Sequence, residues 1–297
     1  MENKSQKKRR WWKILLIAFA ILLLFTGVEL LYSNYAITVS RYTVSSEKVT
    51  GSFRIIFLSD LHGREFGTEN KRLLEKIEKE KPDLICMVGD IFNNDAKEAE
   101  IAAMCDFIHS ATEIAPVYFS LGNHESDYIK GHGISVLDRI TEAGATVLDT
   151  EYLDIEIKGV PVRVGGYMGY YRTPHMNTQD PEQQHCMQTF AEQFEDTDRF
   201  KILLNHIPTN WLDWGYRNKY AVDLVLSGHY HGGVIRIPFL EQGVYAPYVG
   251  KFPPYTKGLF TGEKATCILT TGLAGSYGVP RFFNIPEIVV VDCLEKS

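Results

Sequence analysis

The segment that decides the fold is FRIIFLSDLH (53–62), followed one helix later by DLICMVGD (83–90). Both are short, continuous apolar runs, which are typical of strands buried on both faces. Between them, TENKRLLEKIEKEK (68–81) has apolar residues at helical spacing and is followed by Pro82. Strand, helix and strand in this order predict parallel strands joined by a crossover helix.

The same alternation continues along the chain. KEAEIAAMCDFIHS (97–110) has the pattern of a second helix, and 145–170 looks like a β-hairpin or meander with Gly159 and Pro161 at its turn. Three further runs have the pattern of buried strands: APVYFSLGNH (115–124), KILLNH (201–206) and VDLVLSGH (222–229). We therefore predict one α/β domain over 51–297, with a mixed β-sheet and helices on both faces.

The N-terminal segment WWKILLIAFAILLLFTGVELLY (11–32) is apolar over a length that can cross a hydrocarbon core of about 30 Å. Trp11, Trp12 and Tyr32 are placed like interfacial aromatics, and a Lys/Arg cluster precedes the run. We predict a basic N-terminus and transmembrane anchor over 1–35 and a linker over 36–50. The alternatives are a buried core helix and a cleaved signal peptide. The basic flank predicts a cell-membrane protein, single-pass, with a cytoplasmic N-terminus and an extracytoplasmic catalytic domain.

Charge and cysteine content narrow the classes of partner. The first thirteen residues hold six Lys or Arg against Glu2 alone, so with a whole-chain net charge of −6 the rest carries −11. Because residues 14–297 are strongly acidic, they repel polyanions, and this argues against a nucleic-acid partner. Five scattered cysteines without a C-x-x-C pair favour buried thiols over a disulfide framework.

Metal-ligating residue types follow five of the predicted strands, where loops meet at the carboxyl edge of a parallel sheet. The motifs are Asp60-x-His62, Gly89-Asp90, Asn123-His124, Asn205-His206 and His229-x-His231. Each motif alone is weak, since a lone histidine is usually a solvated or hydrogen-bonded side chain. Five of them in this order predict a metal cluster. The other four histidines lack such settings and are interpreted as surface or polar-core residues: His109, His132, His175 and His185.

This ordered set, D-x-H, G-D, G-N-H-E, N-H and G-H-x-H, resembles the calcineurin-like metallophosphoesterase superfamily over about residues 53–232. The resemblance implies a four-layer α/β/β/α sandwich and hydrolysis of phosphoester bonds. The apolar N-terminal helix and the tail PYTKGLF…TTGLAGSYGVPRFFNIPEIVVVD are similar to those of bacterial exported or membrane-bound phosphodiesterases.

The resemblance also implies a role for each motif residue. Two divalent metal ions are expected, with a bridging hydroxide that attacks phosphorus. The implied ligands are Asp60, His62 and His231 for one ion, Asn123, His206 and His229 for the other, and Asp90 for both. Mixed His, Asp and Asn ligands fit Mn, Fe or Zn better than Mg or Ca.

Three further residues receive expected roles. By resemblance, His124 points at the leaving oxygen as general acid or phosphate donor, and Glu125 is expected to hold its imidazole in the productive tautomer. Arg64 is a candidate for binding a substrate phosphate, with a solvated loop arginine as the alternative.

Two functions follow from these expectations. The first is hydrolysis of phosphodiester or pyrophosphate bonds, and the position beside the bilayer favours a lipid-linked or cell-envelope substrate. The second is a metal-binding but catalytically inert membrane-anchored scaffold or receptor domain. The complete ligand set and His124 favour the hydrolase.

Overall fold

The computed structural model describes residues 4–168, 181–247, 249–275 and 278–296, and for 4–5 and 181–187 it describes the backbone alone. Within these ranges the helices are α1 (Lys4–Tyr35), α2 (Lys71–Glu80), α3 (Glu98–Thr112), α4 (Asn123–His132), α5 (Ser135–Glu142), α6 (Pro181–Glu195), α7 (Thr209–Leu212) and α8 (Tyr216–Lys219). Short 3-10 turns lie at Thr68–Asn70 and His231–Gly233.

The strands belong to two six-stranded sheets and two short hairpins in the described part of the chain. They are β1 (Thr38–Ser46), β2 (Ser52–Leu58), β3 (Leu84–Val88), β4 (Val117–Ser120), β5 (Thr146–Leu148), β6 (Glu151–Ile157), β7 (Val160–Gly166), β8 (Phe200–Leu204), β9 (Leu224–Ser227), β10 (Arg236–Ile237), β11 (Gln242–Gly243), β12 (Tyr245–Ala246), β13 (Gly250–Lys251), β14 (Gly258–Thr261), β15 (Thr266–Leu269) and β16 (Glu287–Glu295).

The first sheet has the order β1-β16-β2-β3-β4-β5, in which β2 to β5 are parallel and β16 runs antiparallel to β2. The second has the order β14-β15-β9-β8-β7-β6, with four parallel strands between antiparallel edges. The two sheets therefore present the carboxyl ends of their central parallel strands as loop-bearing edges, as the sequence predicts.

Alternation of side chains along the strands divides the interior into layers, because neighbouring residues point to opposite faces. Phe57 of β2 and Ile202 of β8 belong to the core between the sheets. Ile56, one residue away, packs instead with Leu73 and the other apolar residues of α2, α3 and α5. A third cluster covers the outer face of the second sheet, where Phe194 of α6 and Trp211 of α7 are buried. The result is the four-layer α/β/β/α sandwich.

The helical spacing that predicts α2 and α3 corresponds to their buried faces. In α2, Leu73 and Ile77 are buried, and the helix ends before Pro82. In α3, Ile101, Met104 and Ile108 face the sheet at spacings of three and four residues. These helices cover the strands whose carboxyl ends carry the candidate ligands.

The predicted linker over 36–50 is wrong for residues 38–46, which form β1 at the edge of the first sheet. β1 pairs in parallel with β16 along its full length, from Thr38–Glu287 to Ser46–Glu295. The local pattern is polar because β1 is half exposed, and its partner lies about 250 residues away along the chain. Sequence periodicity carries no information about such a partner. The domain therefore begins at about residue 38.

The predicted hairpin is confirmed in β6 and β7, with a small difference at its turn. Lys158 and Gly159, both with positive φ, form the turn, whereas Pro161 lies within β7 opposite Glu156. Among the described residues, one helix, Gln6–Tyr35, is long and apolar enough to cross a membrane. The described cysteines Cys86, Cys105, Cys267 and Cys293 are free thiols.

Candidate metal centre

The loops after β2 and β3 bring three predicted ligands together. Beyond the end of the strands, their backbones continue to pair, since Asp60 N donates to Gly89 O at 3.1 Å and His62 N donates to Asp90 O at 2.9 Å. Asp60, His62 and Asp90 have φ of 54°, 49° and 55°, in the left-handed region that costs a non-glycine residue roughly 1–2 kcal/mol. Backbone strain is therefore present at residues that aim carboxylate and imidazole groups inward.

The loop after β9 completes the cluster in the same way. His229 and His231 also have left-handed φ, of 68° and 46°. The amide of His229 donates to the Asp60 carboxylate at 3.0 Å, and His231 Nε2 lies 3.5 Å from Asp60 Oδ1. The loops after β2 and β9, from different sheets, thus meet at one carboxylate.

Asp90 lies at the centre of the arrangement. Its Oδ1 accepts the His124 amide at 2.9 Å, while Oδ2 lies 3.1 Å from His206 Nε2 and 3.8 Å from His62 Nε2. Burial opposes ionisation of Asp90, yet the neighbouring histidines, His206 first, hold its pKa well below the usual range. One carboxylate oxygen therefore faces both groups of candidate ligands.

Six of the seven predicted ligands, together with His124, form overlapping groups of potential metal donors. Donor atoms lie within 4.8 Å of one another in each of three sets: Asp60, His62 and His231; His62, Asp90 and His124; and Asp90, His206 and His229. Asn123 begins α4 beside them, and its buried Oδ1 has no hydrogen-bond partner among the described residues. A buried amide oxygen without a partner is costly, so this atom fits a cation.

Backbone and side-chain oxygens fix the histidine rings. His206 Nδ1 lies 2.8 Å from Val88 O, and His231 Nδ1 lies 3.2 Å from Ala274 O. His62 Nδ1 lies 3.0 Å from Asn93 Oδ1. An oxygen partner at Nδ1 assigns the proton of the neutral ring to that atom and leaves Nε2 as the donor to a metal.

Protonation differs among the histidines. Burial lowers the pKa of His62 to about 4 despite the nearby Asp90 carboxylate, and burial also lowers the pKa of His231. His206 is equally buried, but Asp90 raises its pKa to about 9. A metal ion at this site must therefore displace a proton from His206.

Glu125 does not hold the imidazole of His124, so the predicted orienting role is wrong. It is fully buried, and its carboxylate accepts amide protons from Asp90 at 2.7 Å, Ile91 at 2.8 Å and Gly122 at 2.8 Å. Burial raises its pKa, and so does the Asp90 carboxylate. Glu125 instead fixes the loop that carries Asp90, because that loop has a row of inward-facing amides.

The partner of His124 is a backbone amide that the sequence does not reveal. Asn94 N donates to His124 Nδ1 at 3.2 Å, which leaves the proton of the neutral ring on Nε2. The ring packs edge-on against His62 with centroids 4.6 Å apart. His124 lies at the wall of the ligand cluster with a donor available to a bound molecule.

Arg64 does not line the cavity at the cluster, contrary to the position expected of a residue that binds a substrate phosphate there. Its guanidinium donates to the backbone carbonyl of Asn34 and stacks over Tyr35 and Phe66, at 5.4 and 5.0 Å from the ring centroids. The carboxyl end of α1 attracts cations through its unpaired carbonyls. That attraction turns Arg64 towards the helix and away from the metal centre.

Sequence reasoning missed several residues that support the centre. Asn93 contacts His62 twice, at the ring and at the carbonyl oxygen. Asn284 Nδ2 donates to the carbonyl of His231 at 2.7 Å, and Arg281, fully buried, donates to Ala274 O beside the same ring. These residues belong to loops with no periodic pattern. The sequence offers one signal for these residues, which is their polarity. Asn93 lies close to the Gly89-Asp90 motif, and Arg281 and Asn284 lie in the segment PRFFN.

The remaining histidines lie away from the centre where the structure describes them. His132 Nδ1 contacts Tyr128 O on the exposed face of α4, and His109 is exposed on α3. His175 and the side chain of His185 are outside the described residues.

The cluster opens into a cavity of about 460 Å³. Its walls combine the ligands with Asn93, Asn94 and Asp127 on one side and Pro247, Gly275 and Gly278 on the other. The described lining residues include the acid Asp127 and no lysine or arginine. Among these described residues, positive charge for an anionic ligand would come from bound cations.

Two stacked sheets with a shared carboxylate among histidines define a metal-dependent hydrolase site. A model of the calcineurin-like phosphoesterase family matches residues 53–233. The chain belongs to this family, and it is a metallophosphoesterase that hydrolyses phosphoester bonds.

Relatives from several bacteria are similar over most of their length. Metallophosphoesterase YkuE of Bacillus subtilis is 27% identical over 241 residues, covering 80% of this chain and 78% of that protein. A metallophosphoesterase of Aquifex aeolicus is 30% identical over 268 residues, with 82% and 86% covered. Phosphodiesterase YaeI of Escherichia coli is 26% identical over 243 residues, with 81% and 82% covered.

Proposed function

We propose that the protein hydrolyses phosphodiester bonds with two divalent metal ions held by seven side chains. The observation that carries this proposal is the position of Asp90 Oδ2, which lies 3.1 Å from His206 Nε2 and 3.8 Å from His62 Nε2. The proposed ligands are Asp60, His62 and His231 for one ion, Asn123, His206 and His229 for the other, and Asp90 shared by both.

The donor chemistry fits Mn, Fe or Zn better than Mg or Ca, because each proposed ion has two imidazole ligands, whereas Mg and Ca prefer sites made of oxygen donors alone. When bound, such ions supply positive charge for the phosphoryl oxygens and activate water near neutral pH. The protein's own contribution is to fix the donors beforehand. Glu125 holds the Asp90 loop, Asn93 holds the His62 ring, and Val88 O and Ala274 O hold two further rings.

We assign His124 the role of donor to the substrate. Its Nδ1 accepts the Asn94 amide, so the neutral ring presents Nε2–H to the cavity. A hydrogen bond from this atom stabilises charge that develops on the leaving oxygen or on a phosphoryl oxygen. His124→Ala should keep both ions and lose on the order of 10²–10⁴ in rate. His132→Ala, on the exposed face of the same helix, is the matched control.

The cavity walls favour diesters over monoesters. A monoester dianion brings one more negative charge than a diester, and the described lining residues include no lysine or arginine. They do include Asp127, whose partly exposed carboxylate is paired with Lys130 at 2.9 Å and still adds negative charge at the cavity wall. Asp127→Asn should therefore raise the rate on monoesters relative to diesters. The same rate ratio before and after this substitution would remove the electrostatic basis for diester preference.

The test is a metal-by-substrate panel on the full-length protein in detergent micelles. Mn, Zn, Fe and Mg are each added to chelator-treated protein, with nitrophenyl diesters, monoesters and pyrophosphates as substrates. We expect hydrolysis of the diester, abolished in Asp90→Asn and retained in Asp95→Asn, an exposed acid of the same loop. Metal uptake without hydrolysis of any ester would favour the inert scaffold.

We further propose that α1 is a retained anchor, with residues after about 35 outside the cytoplasm. The support is the helix Gln6–Tyr35, in which a Lys/Arg cluster lies directly before the apolar run that begins at Trp11. Protease added outside intact cells should cleave the domain while α1 stays in the membrane fraction. Full protection would contradict the orientation, and a soluble mature form would contradict the anchor.

A further inference from the structure

The catalytic domain contacts α1 within the apolar segment of that helix. The rings of Phe25 and Phe283 lie with centroids 6.1 Å apart, and Glu29 accepts the Phe283 amide at 3.0 Å. Asn34 and Arg281 exchange two hydrogen bonds, from Asn34 Nδ2 to Arg281 O at 2.9 Å and from Arg281 N to Asn34 Oδ1 at 3.1 Å. The helix therefore packs against the domain through several contacts between Phe25 and Asn34.

These contacts extend below the expected surface of the bilayer. If Tyr32 marks the outer interface, Phe25 lies seven residues deeper, which is about 10 Å along the helix. Interfacial protein segments bury apolar side chains to roughly 5–10 Å. The loop that carries Phe283 therefore lies at the depth of the outer acyl chains when α1 crosses the membrane.

Exposed apolar side chains lie in segments joined to this loop. Phe239 is fully exposed at the end of the β10–β11 hairpin, next to Leu240, which is 69% exposed. Phe252 follows β13 and is 59% exposed, and Val279 is 42% exposed. We call these four residues the apolar edge.

Hydrogen bonds hold the apolar edge next to the helix-docking loop. Arg236 N, at the start of β10, donates to Phe282 O at 3.0 Å, and Ile235 forms a β-bridge with Phe282. Gln242 Nε2 donates to Pro253 O at 2.9 Å, which ties the segment of Phe252 to the same hairpin. The apolar edge is thus part of one connected surface beside Phe283.

The metal cavity borders this surface. Gly278, which lines the cavity, is followed by Val279 of the apolar edge and then by Pro280, which lines a groove against α1. Pro247 lines the cavity between strands β12 and β13 of the adjoining hairpin. Only a few residues separate the metal ligands from the parts of the domain that reach α1.

We propose that the apolar edge docks onto the outer leaflet of the bilayer that α1 crosses, so that the metal cavity opens at the lipid–water interface. This inference rests on the proposed function and its membrane anchor. It identifies the substrate class as amphiphilic phosphodiesters whose phosphate lies at the interface and whose apolar part stays in the bilayer.

A bilayer fits this surface because the apolar edge adjoins the loop that contacts the apolar helix α1. The groove between α1 and Pro280 has a volume of about 850 Å³ and is lined by leucines of the helix, including Leu23 and Leu31, with Arg64 and Asn34 also at its wall. Acyl chains fill such a groove in a membrane. Fully exposed aromatic residues on a water-facing surface would instead favour aggregation.

Depth-dependent fluorescence quenching tests the docking independently of catalysis. The experiment uses full-length protein in which Cys105 and Cys186 are replaced by serine. A polarity-sensitive fluorophore is attached to Leu240→Cys. The labelled protein is placed in vesicles of zwitterionic and anionic phospholipids. Lipids with a nitroxide on the acyl chain serve as quenchers. The matched control is Leu153→Cys, an exposed leucine on β6 at the far edge of the second sheet.

We expect a blue-shifted, strongly quenched label at position 240 and an unquenched label at position 153. Equal behaviour at both positions overturns the proposal. A concentration-dependent blue shift without quenching overturns it in favour of contact between copies of the chain.

A catalytic readout separates failure of the docking from failure of the proposed function. The double variant Phe239→Ser/Leu240→Ser should hydrolyse a water-soluble diester within about twofold of wild type, but a long-chain phosphodiester in vesicles at least about tenfold more slowly. Equal rates on the long-chain diester would contradict the docking. If wild type hydrolyses neither ester, the proposed function fails while the quenching result still decides the docking.

Discussion

Replacing Glu125 by glutamine is expected to destabilise the protein and to empty the metal centre. The carboxylate accepts four backbone amides, from Asp90, Ile91 and Phe92 in the loop after β3 and from Gly122 before α4. Oε2 accepts two of them, at 2.7 and 2.8 Å. In glutamine, an NH2 group replaces one of these oxygens. This group cannot accept a hydrogen bond, so two backbone N–H donors would face a third donor.

The magnitude follows from those bonds. Hydrogen bonds to a charged acceptor contribute about 1.5–3 kcal/mol each, and the group is completely buried. Two lost bonds predict a destabilisation of about 3–6 kcal/mol, which overlaps the roughly 3–5 kcal/mol expected when one partner of a buried charged pair is removed. Because the same loop carries Asp90, metal affinity should fall as well.

The assay is urea unfolding of the full-length protein in detergent micelles, with metal content measured on the folded fraction. Glu65→Gln is the control, since Glu65 is an exposed carboxylate that accepts one backbone amide, and it should change stability by less than about 0.5 kcal/mol. A Glu125→Gln protein with wild-type stability and two bound ions, slowed only on esters with poor leaving groups, would refute this reasoning. It would restore Glu125 as the residue that orients His124.

Three further predictions address the metal centre and its surroundings. Asn93→Ala removes the oxygen partner of the His62 ring and should weaken metal binding by about 10–100-fold with the fold intact, as measured by metal titration and circular dichroism. Arg64→Ala should leave kcat and KM for a water-soluble diester within about twofold, because its guanidinium bonds to Asn34 O; a large rise in KM would show that it binds substrate. Metal uptake should release a proton below pH 9, since the raised pKa of His206, about 9, keeps the ring protonated in the apo protein. Calorimetry in buffers of different ionisation enthalpy should detect that proton at pH 7.5 and little of it above pH 9.5.

The sequence predicts the central strands and the clustering of the candidate ligands well because both follow from local rules. A buried parallel strand requires a continuous apolar run, and its carboxyl end falls at the sheet edge where ligands gather. Asp60, Asp90 and His231 therefore lie where their motifs predict. The sequence does not predict β1, because this strand is stabilised by pairing with β16, a contact that no local pattern encodes.

Side-chain direction in the loops is the part that the sequence could not provide. Glu125 and Arg64 are both charged residues next to ligand motifs, and each was expected to act on the substrate or on His124. Glu125 instead accepts hydrogen bonds from backbone amides after β3, and Arg64 donates to a backbone carbonyl at the carboxyl end of α1. Both partners are backbone groups, whose positions depend on the completed fold.

The shared role of Asp90 is the central claim, and electron paramagnetic resonance of the Mn²⁺-loaded protein tests it most directly. Two Mn²⁺ ions bridged by one carboxylate, about 3.5–4 Å apart, should give the broad spectrum of an exchange-coupled pair at two ions per chain. Asp90→Asn should convert it to the spectrum of isolated Mn²⁺, whereas Asp95→Asn should not. Isolated-ion spectra from the saturated wild-type protein would contradict the two-ion centre.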